Sequence, residues 1–160
     1  MEEFLGEKPG GAVHHPAHYN RHPSGVECID LVEQLPFNLG NAVKYMWRAG
    51  LKEPERSVED LKKCIWYLER ELQRTSANEA RGRDFWSTPW SVRARWLAKK
   101  VRRAEVGTPF GAVVECVVDA MDACSVYRIR TPEQVAGEYC EAVRAATEAA
   151  SVALRQATFA

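Results

Sequence analysis

At 160 residues the chain is long enough for one well-buried core, or for a small domain with an appendage. Its 22 basic and 22 acidic residues balance, which argues against a protein held to nucleic acid by bulk electrostatics. No apolar run approaches the roughly 20 residues needed to cross a bilayer, so a membrane is not an expected partner.

The opening run MEEFLGEKPGG is acidic and glycine-rich, without the basic start and apolar stretch of a signal peptide. It predicts a cytoplasmic protein with a flexible tail over residues 1–15. The five cysteines, Cys28, Cys64, Cys116, Cys124 and Cys140, are odd in number, widely spaced and set in apolar helical patterns, so they read as buried free thiols. All four histidines fall in one short span: His14, His15, His18 and His22. His14, His18 and His22 have the i, i+4, i+8 spacing of zinc ligands on a helix, but Pro16 and Pro23 interrupt any helix and no nearby cysteine completes a zinc set. The run HYNRHPSG therefore reads as a loop, punctuated by Ser24 and Gly25.

A first helix is expected over Val26–Gln34. Cys28, Ile29 and Val32 are its apolar residues, while Glu27 and Asp30 share one face. Two carboxylates at i, i+3 suit a divalent cation, the orientation of a cationic side chain on the next helix, or plain solvation. Leu35, Pro36 and Phe37 then turn the chain into a central helix that starts at Asn38 and is ended by Gly50. Leu39, Ala42, Val43 and Met46 form its core face. Asn41, Lys44, Tyr45 and Arg48 form the opposite face, with Lys52 curling back toward it. Cations one turn apart beside an amide and a phenol make a donor-rich surface suited to phosphate, although an ordinary solvated face has the same spacing.

After a charged loop, Ser57 is the N-cap of a third helix, with Asp60 as its capping-box acid. Leu61, Cys64, Ile65, Leu68 and Leu72 give its buried stripe. Asp60, Lys63 and Tyr67 flank that stripe and would face Lys44 and Arg48 across a groove, Asp60 as an orienter and Tyr67 stacking on a base. The polar run TSANEARGR, from Thr75 to Arg83, predicts a linker over 75–86.

Ser87, Thr88 and Pro89 open a fourth helix. Trp90, Ala94, Leu97 and Val101 are its stripe, and Arg93, Arg95, Lys99, Lys100, Arg102 and Arg103 make it the most basic segment. Interleaved with Trp86, Trp90 and Trp96, these cations fit single-stranded nucleic acid or a membrane surface, but the tryptophans read better as core and the cations as a solvated face. Gly107 is the expected C′ residue. A fifth helix follows over Pro109–Tyr127, apolar around much of its circumference. Thr131, Pro132 and Gln134 set up a capped start for a sixth, reaching Ala157 with the stripe Val135, Tyr139, Val143, Ala146 and Ala150. With no strand pattern, the fold class is all-α with about six helices. An N-terminal three-helix module over 16–74 is followed by a helical extension over 87–160 for oligomerisation, partner binding or lidding a site.

Four elements occur in order: HY at His18 and Tyr19, G.ECID at Gly25 to Asp30, GNAVKY..RAG.K at Gly40 to Lys52, and EDLKK..WYL at Glu59 to Leu68. On these the chain resembles the phage nucleotide kinase-like family. The resemblance implies a bacteriophage protein acting in the host cytoplasm, a homo-oligomer, and a deoxynucleoside monophosphate kinase without a P-loop. Many members have no demonstrated activity, so the resemblance speaks for the family more than for catalysis.

The residues agree on one point, since no GxxxxGKS/T occurs and cationic side chains must hold any phosphates. Phosphoryl transfer asks mainly for positioning and charge neutralisation, which a Lys/Arg cluster supplies. The expected catalytic residues are Lys44, Arg48 and Asp60. His18, Tyr19, Asn41, Tyr45, Lys52, Lys63 and Tyr67 would bind a dNMP acceptor and an NTP or dNTP donor, and Glu27 and Asp30 would hold a magnesium ion. Two alternatives remain open. One is a nucleotide-sequestering protein without turnover. The other is a MazG-like pyrophosphohydrolase, for which Glu27 and Asp30 supply one ExxD but no EExxE precedes it.

Overall fold

In the computed structural model, which describes residues 19, 22–49, 56–79, 91–125 and 131–159, six helices follow one another and no strand occurs among the described residues. They are α1 (Cys28–Val32), α2 (Phe37–Arg48), α3 (Ser57–Glu79), α4 (Val92–Ala104), α5 (Pro109–Ser125) and α6 (Pro132–Phe159). The all-α expectation holds.

α1 is shorter than its sequence pattern. Glu27 is extended at the N-cap, and beyond Val32 the bonds tighten to Gln34 N–H on the Leu31 carbonyl and Leu35 N–H on the Val32 carbonyl. Pro36 then bars a continuing helix. α2 starts at once with Phe37, and buries Leu39, Ala42, Val43, Met46 and Trp47. Gly40 permits the tight turn between the two: a Cβ there would stand 2.9 Å from the Val32 carbonyl oxygen.

α3 runs five residues into the segment expected as a linker. The polar residues that suggested a loop satisfy themselves along the helix, Thr75 Oγ1 donating to the Glu71 carbonyl at 2.9 Å and Ser76 Oγ to the Leu72 carbonyl at 3.0 Å. Residues 80–86 lie outside the described residues. The buried stripe of α3 also differs from the expected one. It consists of Leu61, Cys64, Leu68, Glu71 and Thr75, while Ile65 and Leu72 are only partly buried.

α4 begins at Val92, with Ser91 Oγ accepting from the Ala94 N–H at 3.0 Å as the N-cap. Ser87 to Trp90 and Trp86 lie outside the described residues. Ala94, Leu97, Ala98 and Val101 face the core, but Trp96 is exposed, against the expectation that it would be core, with Lys100 Nζ 5.2 Å from its ring centre. Gly107, at φ +80, sits two residues past the C-cap Glu105. The capped start of α6 is present in both its bonds: Gln134 Oε1 accepts from the Thr131 N–H, and Thr131 Oγ1 from the Gln134 N–H. Its expected stripe is fully buried.

α3 lies between α2 and α6, α5 packs along α6 and touches α2, α4 rests on α5 and α1, and α1 rests on α2. One apolar core therefore runs from Leu39 and Val43 through Leu68 to Val117 and Val143. Four cysteines are buried, Cys116 is half-buried and all are free. Burial pushes the Cys28, Cys64 and Cys124 thiols up to about 12, so they are inert packing groups. Among the described residues no helix is long and apolar enough to cross a membrane.

Candidate functional site

The outward arcs of α2 and α3 meet where the sequence placed a groove. Residues 41, 44, 45 and 48 share one face of α2 by helical spacing, and residues 60, 63 and 67 share one face of α3. Packing of the two helices brings these faces together around Tyr45. Lys44 Nζ lies 4.4 Å from the Tyr45 ring centre, the Arg48 guanidinium 5.4 Å and Lys63 Nζ 5.6 Å. The Tyr67 ring stacks on Tyr45 at 5.7 Å with 15° between planes.

The cations in this patch are not equivalent. Arg48 Nε donates to Asp60 Oδ2 at 2.8 Å, and Asp60 is buried. Burial works against the Arg48 charge, but bonds to Asp60 and to the Tyr19 hydroxyl outweigh it and raise its pKa. Lys63 pairs with exposed Glu59, and their mutual hydrogen bond raises the lysine and lowers the carboxylate. Lys44 instead donates to a neutral amide, Asn41 Oδ1, at 2.6 Å, while Asn41 Nδ2 is anchored on the Phe37 carbonyl at 2.8 Å. Desolvation lowers the Lys44 pKa, and the neighbouring Arg48 charge adds to the shift, with Lys63 contributing in the same direction.

The other expected site residues fall elsewhere. His18 and Lys52, like His14 and His15, lie outside the described residues. Glu27 is the N-cap of α1, and Asp30 Oδ1 faces Arg93 of α4 at 3.2 Å. The cation that Asp30 meets is thus an arginine side chain, and no group of three or more His, Cys, Asp or Glu suited to a metal ion occurs among the described residues. His22 is buried against Trp47 and Phe110, with ring centres 4.4 and 5.6 Å away. Its Nδ1 accepts from the Ser24 N–H, which leaves the proton on Nε2, 3.0 Å from Glu105 Oε1.

A second polar group was not expected from the sequence. Glu71 is fully buried, and its carboxylate accepts on Oε2 from Asn38 Nδ2 at 2.8 Å and Arg74 Nε at 3.0 Å, and on Oε1 from the Tyr139 hydroxyl at 2.7 Å and from Arg74 Nη2. Three helices are tied through one carboxylate. The available signal was an acid at position 71 in the 3,4,3,4 spacing of Leu61, Cys64, Leu68 and Thr75, where an apolar residue belongs.

Residues 13–69 match the family described as a protein of unknown function, DUF3310. This match covers α1, α2 and the first part of α3, which carry the patch, and it corrects the resemblance drawn from the four motifs. Those motifs fall within the stretch that matches a family model whose description names no activity, and nothing in the match links it to phage nucleotide kinases. Short strings such as GNAVKY encode the tight α1–α2 turn and the core face of α2 as much as any chemistry, so their order does not carry an activity. No curated protein and no solved structure is significantly similar to the chain.

Proposed function

We propose that the α2–α3 face binds nucleotide phosphates, and that the protein passes a phosphoryl group from a nucleoside triphosphate to a deoxynucleoside monophosphate without a P-loop. The observation that carries this reading is Lys44. It is a partly desolvated cation crowded by Arg48 and Lys63, and its hydrogen-bond partner among the described residues is the neutral Asn41. A phosphate oxygen is the group that such a lysine lacks. Arg48, held by Asp60, adds a second charge of fixed direction, and Tyr67 offers aromatic surface for a base.

Among the described residues the carboxylates of the patch are paired, Asp60 with Arg48 and Glu59 with Lys63, and this suits such an acceptor. A monophosphate, with its second pKa of about 6, is already ionised at neutral pH and needs no general base to attack. Its oxygen forms the new bond to the γ-phosphorus as the bond to the β,γ-bridging oxygen breaks, the electron pair leaving with the diphosphate. Lys44 and Arg48 would offset the charge on the transferred group throughout.

A second reading, a nucleotide-binding protein without turnover, is favoured by the same commitment of Asp60 to Arg48 and Glu59 to Lys63. A pyrophosphohydrolase is supported least, because the carboxylate cluster it needs for magnesium does not gather among the described residues. The test is to incubate the protein with each deoxynucleoside monophosphate and a mixed triphosphate pool, with and without magnesium, and to separate the products. A diphosphate that disappears with Lys44→Ala supports the kinase. Retention of an unchanged nucleotide supports the binder, and monophosphate with pyrophosphate supports the hydrolase. If no product forms and no nucleotide is retained, the site is overturned.

A further inference from the structure

We propose that a cavity at the junction of α2, α3, α5 and α6 is a second ligand site, separate from the Lys44 patch, that takes a planar heteroaromatic group bearing an acidic substituent. The cavity has a volume of about 540 Å³, within the range of small-molecule sites. None of Lys44, Arg48, Asp60 and Lys63 lines it. Tyr67 borders both, stacked on Tyr45 on the patch side and meeting Phe37 and Trp66 edge-on at 6.1 and 4.9 Å.

The rim explains the ring. Phe37 is 75% exposed and Trp66 56% exposed, so two large aromatic side chains stand in water along a cavity that is also lined by buried Met121 and Cys124. Burial pushes the Cys124 thiol up to about 12, which makes that wall apolar in character and not a nucleophile. A flat ring entering between the aromatic side chains would cover them and gain stacking.

Charge explains the acidic substituent. Arg70 lines the cavity, is exposed, and has no ion-pair partner among the described residues. Arg74 lines it too, fixed there by Glu71. Because the Glu71 carboxylate is taken up by Asn38, Arg74 and Tyr139, the charge left on the wall among the described residues is that of Arg70. A neutral aromatic would leave that charge unanswered, and a bare anion would leave the rings exposed.

The inference stands on the cavity and does not need the phosphate patch. It is tested by calorimetric titration of the full chain with adenosine monophosphate, with adenosine and ribose 5-phosphate as ring-only and anion-only controls. Trp66→Ala and Arg70→Ala change exposed side chains, and circular dichroism would confirm that each variant is folded. Each is expected to weaken the cavity binding event by about tenfold or more, the loss of one stacking or one charge-assisted contact, while that event persists in Lys44→Ala. Both controls are expected to bind more weakly than the nucleotide. Affinity unchanged by Trp66→Ala and Arg70→Ala would overturn the cavity while leaving the patch standing. A cavity event in Lys44→Ala at full strength, with no second event in wild type, would uphold the cavity and count against the patch. A single event abolished by Lys44→Ala, or no binding at all, would overturn the second site.

Discussion

Tyr139 on α6 donates its hydroxyl proton to Glu71 on α3 at 2.7 Å, in a region where neither side chain reaches solvent. A buried carboxylate persists only when paired and fully bonded, and here Arg74 supplies the charge while Asn38 and Tyr139 supply the remaining bonds. The bond joins helices from the two halves of the chain. Tyr139→Phe removes one donor to a charged group and is expected to cost about 1–3 kcal/mol, read as a lower urea midpoint at unchanged slope. An unchanged midpoint would mean that the Glu71 network contributes nothing through α6.

Removing the carboxylate that holds Arg48 and removing Lys44 itself are expected to have different consequences. Asp60→Ala leaves the partly buried Arg48 without its carboxylate and should destabilise the fold by about 3 kcal/mol. Lys44→Ala removes a cation whose hydrogen-bond partner among the described residues is the neutral Asn41 and should change stability by less than about 1 kcal/mol. Thermal unfolding of both variants checks the contrast. Equal losses would argue that Lys44 is a structural residue.

His22 should make stability fall in mild acid. Desolvation is the larger influence on its ring and lowers its pKa below 6.5, with Glu105 pulling the other way. Below the unfolded value the unfolded chain binds a proton that the folded chain refuses, so the contribution of His22 is present above about 6.5 and is lost as pH falls through the depressed folded pKa. Denaturation curves between pH 7.5 and about 5 should show this slope in wild type and a flatter one in His22→Gln. Equal slopes would remove His22 as the cause.

Gly40→Ala should destabilise by about 1–3 kcal/mol, because the new methyl would meet the Val32 carbonyl oxygen, a backbone atom that cannot swing away. Gly137, with nothing near an added Cβ, is the control: Gly137→Ala in the interior of α6 should be neutral or stabilising. Chemical denaturation of the pair separates close approach from a general dislike of substitution.

Local signals were legible where one residue type decides. The Thr131 and Gln134 capping box, the buried stripe of α6 and the shared face of Asn41, Lys44, Tyr45 and Arg48 follow from spacing alone, because short-range geometry fixes them. What failed needed tertiary context. Trp96 reads as core by composition but lies on the outer arc of α4, beside Lys100. Thr75 and Ser76 read as a loop, yet close their hydroxyls on the preceding turn of α3. Glu71 reads as surface by hydropathy, although its register puts it in the stripe. The partner of Asp30, Arg93, stands 63 positions away in sequence, beyond the reach of any local pattern.

Equilibrium binding of a deoxynucleoside monophosphate to wild type and to folded Lys44→Ala tests the phosphate patch most directly. The patch predicts that the variant binds at least about tenfold more weakly, the loss of one charge-assisted phosphate contact, and that added salt narrows the difference. Equal affinity of the two proteins would contradict it.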